Sequence, residues 1–180
     1  ANGLRDTSFV QGANPDVVFI LDVSWSADDP FVGSSVGDLN GDRLANTILD
    51  AEIAAFIALN QQLIRQGLGQ TARVSVIDFA GGAFSRDMIP GVRGTQLVTN
   101  PTGDSDNNNI VDVEQVLRSL RTRPSTNFES ALQEAERVLR TIGTTPGNGT
   151  IVFLSDGVNT IGGSVTDEVN KLKDLGVKLY

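Results

Sequence analysis

The stretch Asp16-Val-Val-Phe-Ile-Leu-Asp22-Val-Ser24-Trp-Ser26 changes character in one step. Residues 17–21 are continuously apolar, as in a parallel strand buried on both faces. From Asp22 onward, oxygen-bearing side chains fall on alternate residues, which an extended chain points to the same side. Ile151-Val-Phe-Leu154-Ser155 runs in the same way into Asp156-Gly157. Two carboxylates thus stand where buried strands end, the edge at which open α/β sheets bind ligands.

Working outward, strand and helix patterns alternate. Residues 16–21 read as a strand. A long amphipathic helix over about 46–66 carries Leu49, Ile53, Phe56, Ile57, Leu63 and Ile64 at helical spacing, and Gln66-Gly-Leu-Gly69 stops it. Residues 73–79 read as a second strand, and 95–98 as a short one after a glycine-rich turn. Val113, Val116, Leu117 and Leu120 mark a short helix. Phe128, Ala131, Leu132, Ala135, Val138, Leu139 and Ile142 mark a stronger one. Residues 143–149 form a loop, 150–155 a buried strand, 166–175 a helix, and 177–180 the start of another strand. This order predicts an α/β fold with a doubly wound, mostly parallel sheet flanked by helices.

At 180 residues the chain has the length of one domain with a substantial core. The N-terminal Ala1-Asn-Gly-Leu-Arg5 lacks the pattern of a signal peptide, so the chain reads as a mature fragment or excised piece. No apolar run approaches the roughly 18 residues that a bilayer requires, so membrane insertion is not expected. The net charge of −8 argues against nucleic acid or anionic lipid as partner and suits cation binding. The chain contains no cysteine and no histidine. Thiol chemistry, the commonest general base and the commonest transition-metal ligand are therefore absent. Nothing supplies a phosphate-cradling loop or a nucleophile–base pair, and a non-enzymatic role is expected.

Asp22, Ser24, Ser26, Thr126 and Asp156 together offer two carboxylates and three hydroxyls. Such an all-oxygen set suits Mg²⁺, Ca²⁺ or Mn²⁺. A hard cation held largely by hydroxyls and water keeps much of its positive charge and seeks a further carboxylate from outside. Each residue also has a plainer reading. The aspartates can be turn formers at strand ends and the serines loop residues, while Thr126-Asn-Phe-Glu129 reads as a capping box that starts a helix without any metal.

Asp22-Val-Ser-Trp-Ser26, Thr126-Asn-Phe-Glu129 and Ser155-Asp156-Gly157 resemble, in order and spacing over nearly all of residues 16–180, the metal-ion-dependent adhesion site of von Willebrand factor type A domains. The resemblance implies a central sheet wrapped by helices, a divalent cation on its upper edge, and an acidic residue of a partner completing the ion's shell. Trp25 stands where that family usually has glycine, reshaping the rim without removing a ligand. The family fold continues beyond residues 177–180, which implies a C-terminally incomplete domain 1–180, or a second chain that completes the sheet.

Two acidic insertions, 27–46 and 99–112, are candidate calcium loops. Asp38, Asn40, Asp42 and Asn46 occupy positions 1, 3, 5 and 9 of an EF-hand-like loop before the long helix, with Asp50 or Glu52 to close it. Asp104, Asp106, Asn108 and Asp112 repeat that spacing, with Glu114 or Gln115 closing. The usual glycine at position 6 is Arg43 in the first loop and Asn109 in the second. The plainer reading is two solvated turns that cap helices. Asp28 and Asp29 adjoin the first loop without a decisive spacing. These loops extend the resemblance to the modules of large secreted bacterial adhesins, including those with calcium-binding RTX repeats, which implies a secreted or cell-surface location.

The expected function is a divalent-cation-dependent adhesion or protein-interaction module that binds an acidic group through the metal. The alternative is a calcium-rigidified spacer with no ligand of its own. Trp25 reads equally as a recognition aromatic or a packing residue. Asn148-Gly-Thr150 reads as a turn entering a strand, and Arg118, Arg121 and Arg123 as a solvated basic helix end.

Overall fold

The computed structural model describes residues 9–180, and the N-terminal stretch 1–5 read above lies outside them. The elements are β1 (Asp16–Asp22), α1 (Ile48–Arg65), β2 (Arg73–Phe79), β3 (Ala83–Ser85), α2 (Asp112–Arg118), α3 (Phe128–Thr141), β4 (Gly149–Leu154), α4 (Thr166–Asp174) and β5 (Lys178–Leu179). They form one five-stranded sheet in the order β3-β2-β1-β4-β5. β1 pairs in parallel with both β2 and β4, and β5 runs parallel to β4. The chain moves from β1 to one side through α1 and later returns to the other side as β4. The gap between β1 and β4 is therefore the topological switch point.

Helices cover both faces. Val17, Phe19 and Leu21 of β1 pack with Leu49, Ile53, Phe56 and Leu63 of α1 and with Val113, Val116 and Leu117 of α2. Val18 and Ile20 pack on the opposite face with Ala131, Leu132, Ala135 and Val138 of α3 and Leu172 of α4. Every residue of β1 is buried, so its sequence shows a continuous apolar run instead of alternation. The rings of Phe19 and Phe56 lie 4.6 Å apart at the β1–α1 contact. α1 begins with a reciprocal capping box: Thr47 Oγ1 accepts from Asp50 N, and the Asp50 carboxylate accepts from Thr47 N.

One expectation changes. The strand expected over 95–98 is absent. Residues 87–98 loop out through Pro90, Gly91 and Gly94 after Arg86 N donates to Val76 O, and the chain returns to the sheet at Thr99, in an isolated antiparallel bridge to Val74. The antiparallel edge strand is instead β3, which folds back on β2 directly after Gly81-Gly82. Among the described residues no helix is long and apolar enough to cross a membrane.

Candidate metal centre

The C-terminal ends of β1 and β4 lie side by side, with Leu21 opposite Leu154. Asp22 closes β1 and is fully buried. Its Oδ1 accepts from the Ser24 amide at 2.9 Å, and its Oδ2 accepts from Ser155 Oγ at 2.5 Å. Beyond Ser24 the chain turns into a 3-10 turn over Trp25–Asp28, so Ser26 is not in extended backbone as the alternation implied. The turn nevertheless brings Ser24 Oγ and Ser26 Oγ to 2.9 Å. Ser26 Oγ in turn donates to Asp156 Oδ1 at 3.2 Å. A chain of contacts thus links Asp22, Ser24, Ser26 and Asp156 across the switch point.

Thr126 reaches the same edge by another route. Arg123 N donates to Val23 O at 2.6 Å, and Arg123 forms a parallel bridge with Ser24, so residues 122–126 run beside the loop leaving β1. Thr126 is 4% exposed. Its amide donates to Thr160 Oγ1 at 2.8 Å, and its carbonyl accepts from the Thr160 and Ile161 amides.

The expected Thr126–Glu129 capping box does not form. Asn127 is the N-cap of α3, accepting from Ser130 N at 3.0 Å. Glu129 is drawn away because its Oε2 accepts from the Gly163 amide. The loop after Asp156 therefore holds both Thr126 and the start of α3, with Asn159 Oδ1 accepting from Phe128 N at 2.9 Å. Nothing in the sequence analysis points to Asn159 or Thr160, and Ser155 enters it only within the Ser155-Asp156-Gly157 motif. The polar run 155–160 directly after a buried strand was the available signal.

No family model and no curated protein matches the chain. Solved structures do match. Proximal thread matrix protein 1 from the mussel byssus, described with a zinc-occupied MIDAS motif, aligns with 92% of this chain at TM-score 0.62 and 16% identity. The vWF domain of the type V pili tip protein Mfa5 from Porphyromonas gingivalis aligns with 81% at TM-score 0.52 and 16% identity. The fold is von Willebrand factor A-like. An aerotolerance-related membrane protein from Bacteroides fragilis aligns with 92% at TM-score 0.58 and 18% identity. The chain spans 65% of that protein and 37% and 38% of the other two.

The donor set of this A-type fold fits a hard divalent cation. Asp22, Ser24, Ser26 and Asp156 offer only oxygen, and Gly157 adds no bulk above them. A Cβ there would stand 3.8 Å from both Asp22 Oδ2 and Ser26 Oγ. Among the described residues no group of three or more acidic side chains is gathered tightly enough to hold an ion by itself. On such a donor set, hydroxyls and water would supply much of the shell. Trp25 is 65% exposed, which places it on the rim rather than in the core.

Glu52, expected as a closing ligand of the first acidic loop, instead faces Asp22 and Asp156. Burial, then the Asp22 carboxylate, then the Asp156 carboxylate push its pKa up to about 9, with the Asp22 main chain opposing. Leu49, Ile53 and Phe56 define the buried face of α1, and Glu52 lies on that face three residues after Leu49. That spacing was the signal for it.

The acidic loops share one backbone pattern. Asp38 Oδ1 accepts from the Gly41 and Asp42 amides and Oδ2 from Arg43 N, while Asp42 Oδ1 accepts from Leu44 N. Asp104 likewise accepts from the Asn108 and Asn109 amides, and Asn108 Oδ1 accepts from Ile110 N. Arg43 and Asn109, at the position where glycine is usual, adopt φ of 79° and 68°. The Gln115 side-chain Nε2 donates to Asp106 Oδ1, Asn108 Oδ1 and Ile110 O, which puts Gln115 against the second loop.

Other members depart from their expected places. Asn46 Oδ1 accepts from Ser35 Oγ and the Val36 and Gly37 amides, away from Asp38 and Asp42. Asp50 is consumed by the α1 cap and by the Leu39 amide. Asp112 accepts from Ser105 and Thr99, and Glu114 pairs with Arg118. In Asn40, Nδ2 bridges to Asp42 Oδ2 and Leu120 O. Asp28 accepts from Thr122 Oγ1, outside the first loop.

The basic cluster is also not simply solvated. Arg123 donates at 2.8 Å to Asp78 Oδ2, which accepts from Arg86 as well, and Asp78 is fully buried. Its guanidinium also stacks 4.7 Å from the Phe84 ring centroid. As expected, Asn148-Gly-Thr150 is a turn entering a strand, with Thr150 buried in β4.

Proposed function

We propose that the chain is a non-enzymatic adhesion or protein-interaction module that binds an acidic group of its partner through a divalent cation at the β1–β4 edge. The supporting observation is the run of contacts from Asp22 through Ser24 and Ser26 to Asp156. The ion, Mg²⁺, Ca²⁺ or Mn²⁺, would rest on these residues and Thr126 and polarise an incoming carboxylate. The exposed rim residues Trp25 and Val158 would add apolar contact around it. The pilus tip protein and the pilus adhesin SpaC from Lactobacillus rhamnosus, over which this fold recurs, favour a secreted or cell-surface setting. The acidic loops favour the calcium-rich surroundings of large RTX-type adhesins.

Asp156→Ala and Ser24→Ala are expected to abolish partner binding measured by surface plasmon resonance, as is EDTA, with circular dichroism unchanged. Undiminished binding in both variants and in chelator would overturn the proposal.

A second reading, a calcium-rigidified spacer, is favoured by the matching hydrogen-bond patterns of the two acidic loops. The cages would be Asp38, Asn40 and Asp42, and Asp104, Asp106, Asn108 and Gln115. An ion bound at 100 times its Kd stabilises the folded state by about 2.7 kcal/mol, which in a chain of this length is roughly 5–10 °C in Tm. Calcium is expected to raise the calorimetric Tm by at least that much over EGTA. An unchanged transition would rule out the clamp.

A further inference from the structure

We propose that Glu52 is a further acidic residue of the cation site, acting on the bound ion from beneath it. The inference rests on the cation reading of that edge. α1 sets Glu52 on its sheet-facing side, where the residue is 7% exposed. Its Oε2 is buried and has no hydrogen-bond partner. The Asp22 main chain is the one donor that favours its charged form, so a buried carboxylate with one oxygen unmet and two carboxylates beside it is costly. Without a cation the group escapes both penalties by holding a proton; a divalent ion at the same place would let it stand charged.

Glu52 also lines a pocket of about 320 Å³ shared with Ser155 and Asp156. Phe31, Ile48 and Leu154 form its apolar walls. The pocket therefore joins Glu52 to the residues that end β4, with room for water between them. In this proposal Glu52 is a positioning residue that acts on the ion through its field and through water. Groups in that position usually change metal affinity by 10- to 100-fold.

Trp25, the single tryptophan, sits between Ser24 and Ser26 and so reports on this site. Chelator-stripped protein titrated with Mn²⁺, which quenches indole emission, gives the affinity directly. Glu52→Gln keeps the shape and removes the charge. It is expected to weaken Mn²⁺ binding about 10- to 100-fold, with the Tm of the stripped protein unchanged or higher. A merely structural Glu52 would show the opposite: unchanged affinity, or a loss matched by lower metal-free stability. Either result overturns the proposal.

Asp156→Ala separates the two levels. If it abolishes quenching while Glu52→Gln does not weaken it, the cation site stands and the role of Glu52 fails. If Asp156→Ala leaves Mn²⁺ binding intact, the cation reading fails and this proposal with it.

Discussion

Asp22→Asn is expected to weaken divalent-cation binding a hundredfold or more, about 2.7 kcal/mol, while the fold survives. Asp22 combines full burial with a position at the end of β1, so its carboxylate cannot be replaced by a neighbour moving in. Asparagine keeps an oxygen to accept from the Ser24 amide. The group facing Ser155 becomes a donor, and the serine hydroxyl can rotate to accept from it. Local hydrogen bonding is thus preserved while the negative charge at the base of the site is lost. Removing even an outer-shell partner of a metal costs 10- to 100-fold in affinity, so a residue of the inner cradle should cost at least as much. Titration with Mn²⁺ against Trp25 emission measures the loss, and a thermal melt of the stripped protein checks the fold. Binding within threefold of the parent would remove Asp22 from the site.

The sequence disclosed most where one physical cause dominated. β1 and β4 were legible because a strand covered on both faces must be apolar throughout, and α1 and α3 because each buries one stripe. The edge strand β3 was not. It has three residues, only its antiparallel partner defines it, and its middle residue Phe84 is exposed beneath the Arg123 guanidinium. The cap of α3 was misplaced by one residue because Thr126 and Asn127 are both good N-caps. The choice is made by the loop at 159–163, more than thirty residues away, which captures Glu129.

At the site, spacing revealed the residues that approach along the chain, Asp22, Ser24 and Ser26. The resemblance to a known motif supplied Thr126 and Asp156. Glu52 was assigned to the wrong group because nearness in sequence to an acidic loop outweighed its place on the buried stripe of α1. Asp50 and Asn46 show a related competition. Their carboxyl and amide oxygens satisfy main-chain amides of residues 35–39 and the helix cap, and a ligand-like spacing carries no sign of that competing demand.

Asp78→Ala is expected to destabilise the fold by about 3 kcal/mol, the lower end of what breaking a buried ion pair costs. It should also weaken cation binding in the fraction that remains folded. Asp78 is fully buried in β2, and its Oδ2 takes both the Arg86 guanidinium at 2.5 Å and that of Arg123 at 2.8 Å. The two arginines are about one-third exposed, so water recovers part of their solvation once Asp78 is gone. That exposure keeps the estimate near the lower limit.

The second effect follows from where Arg123 sits. Its amide is bound to Val23 O, it bridges to Ser24, and Thr126 follows three residues later. Releasing its guanidinium loosens the segment that carries Thr126 against the loop that carries Ser24 and Ser26. Asp78→Asn retains an acceptor at the same place and should lose less stability. Urea denaturation measures the first effect, and Mn²⁺ titration below the unfolding transition measures the second. If Asp78→Ala lowers stability but leaves the cation affinity of the folded protein untouched, the ion pair braces the sheet alone and takes no part in placing Thr126.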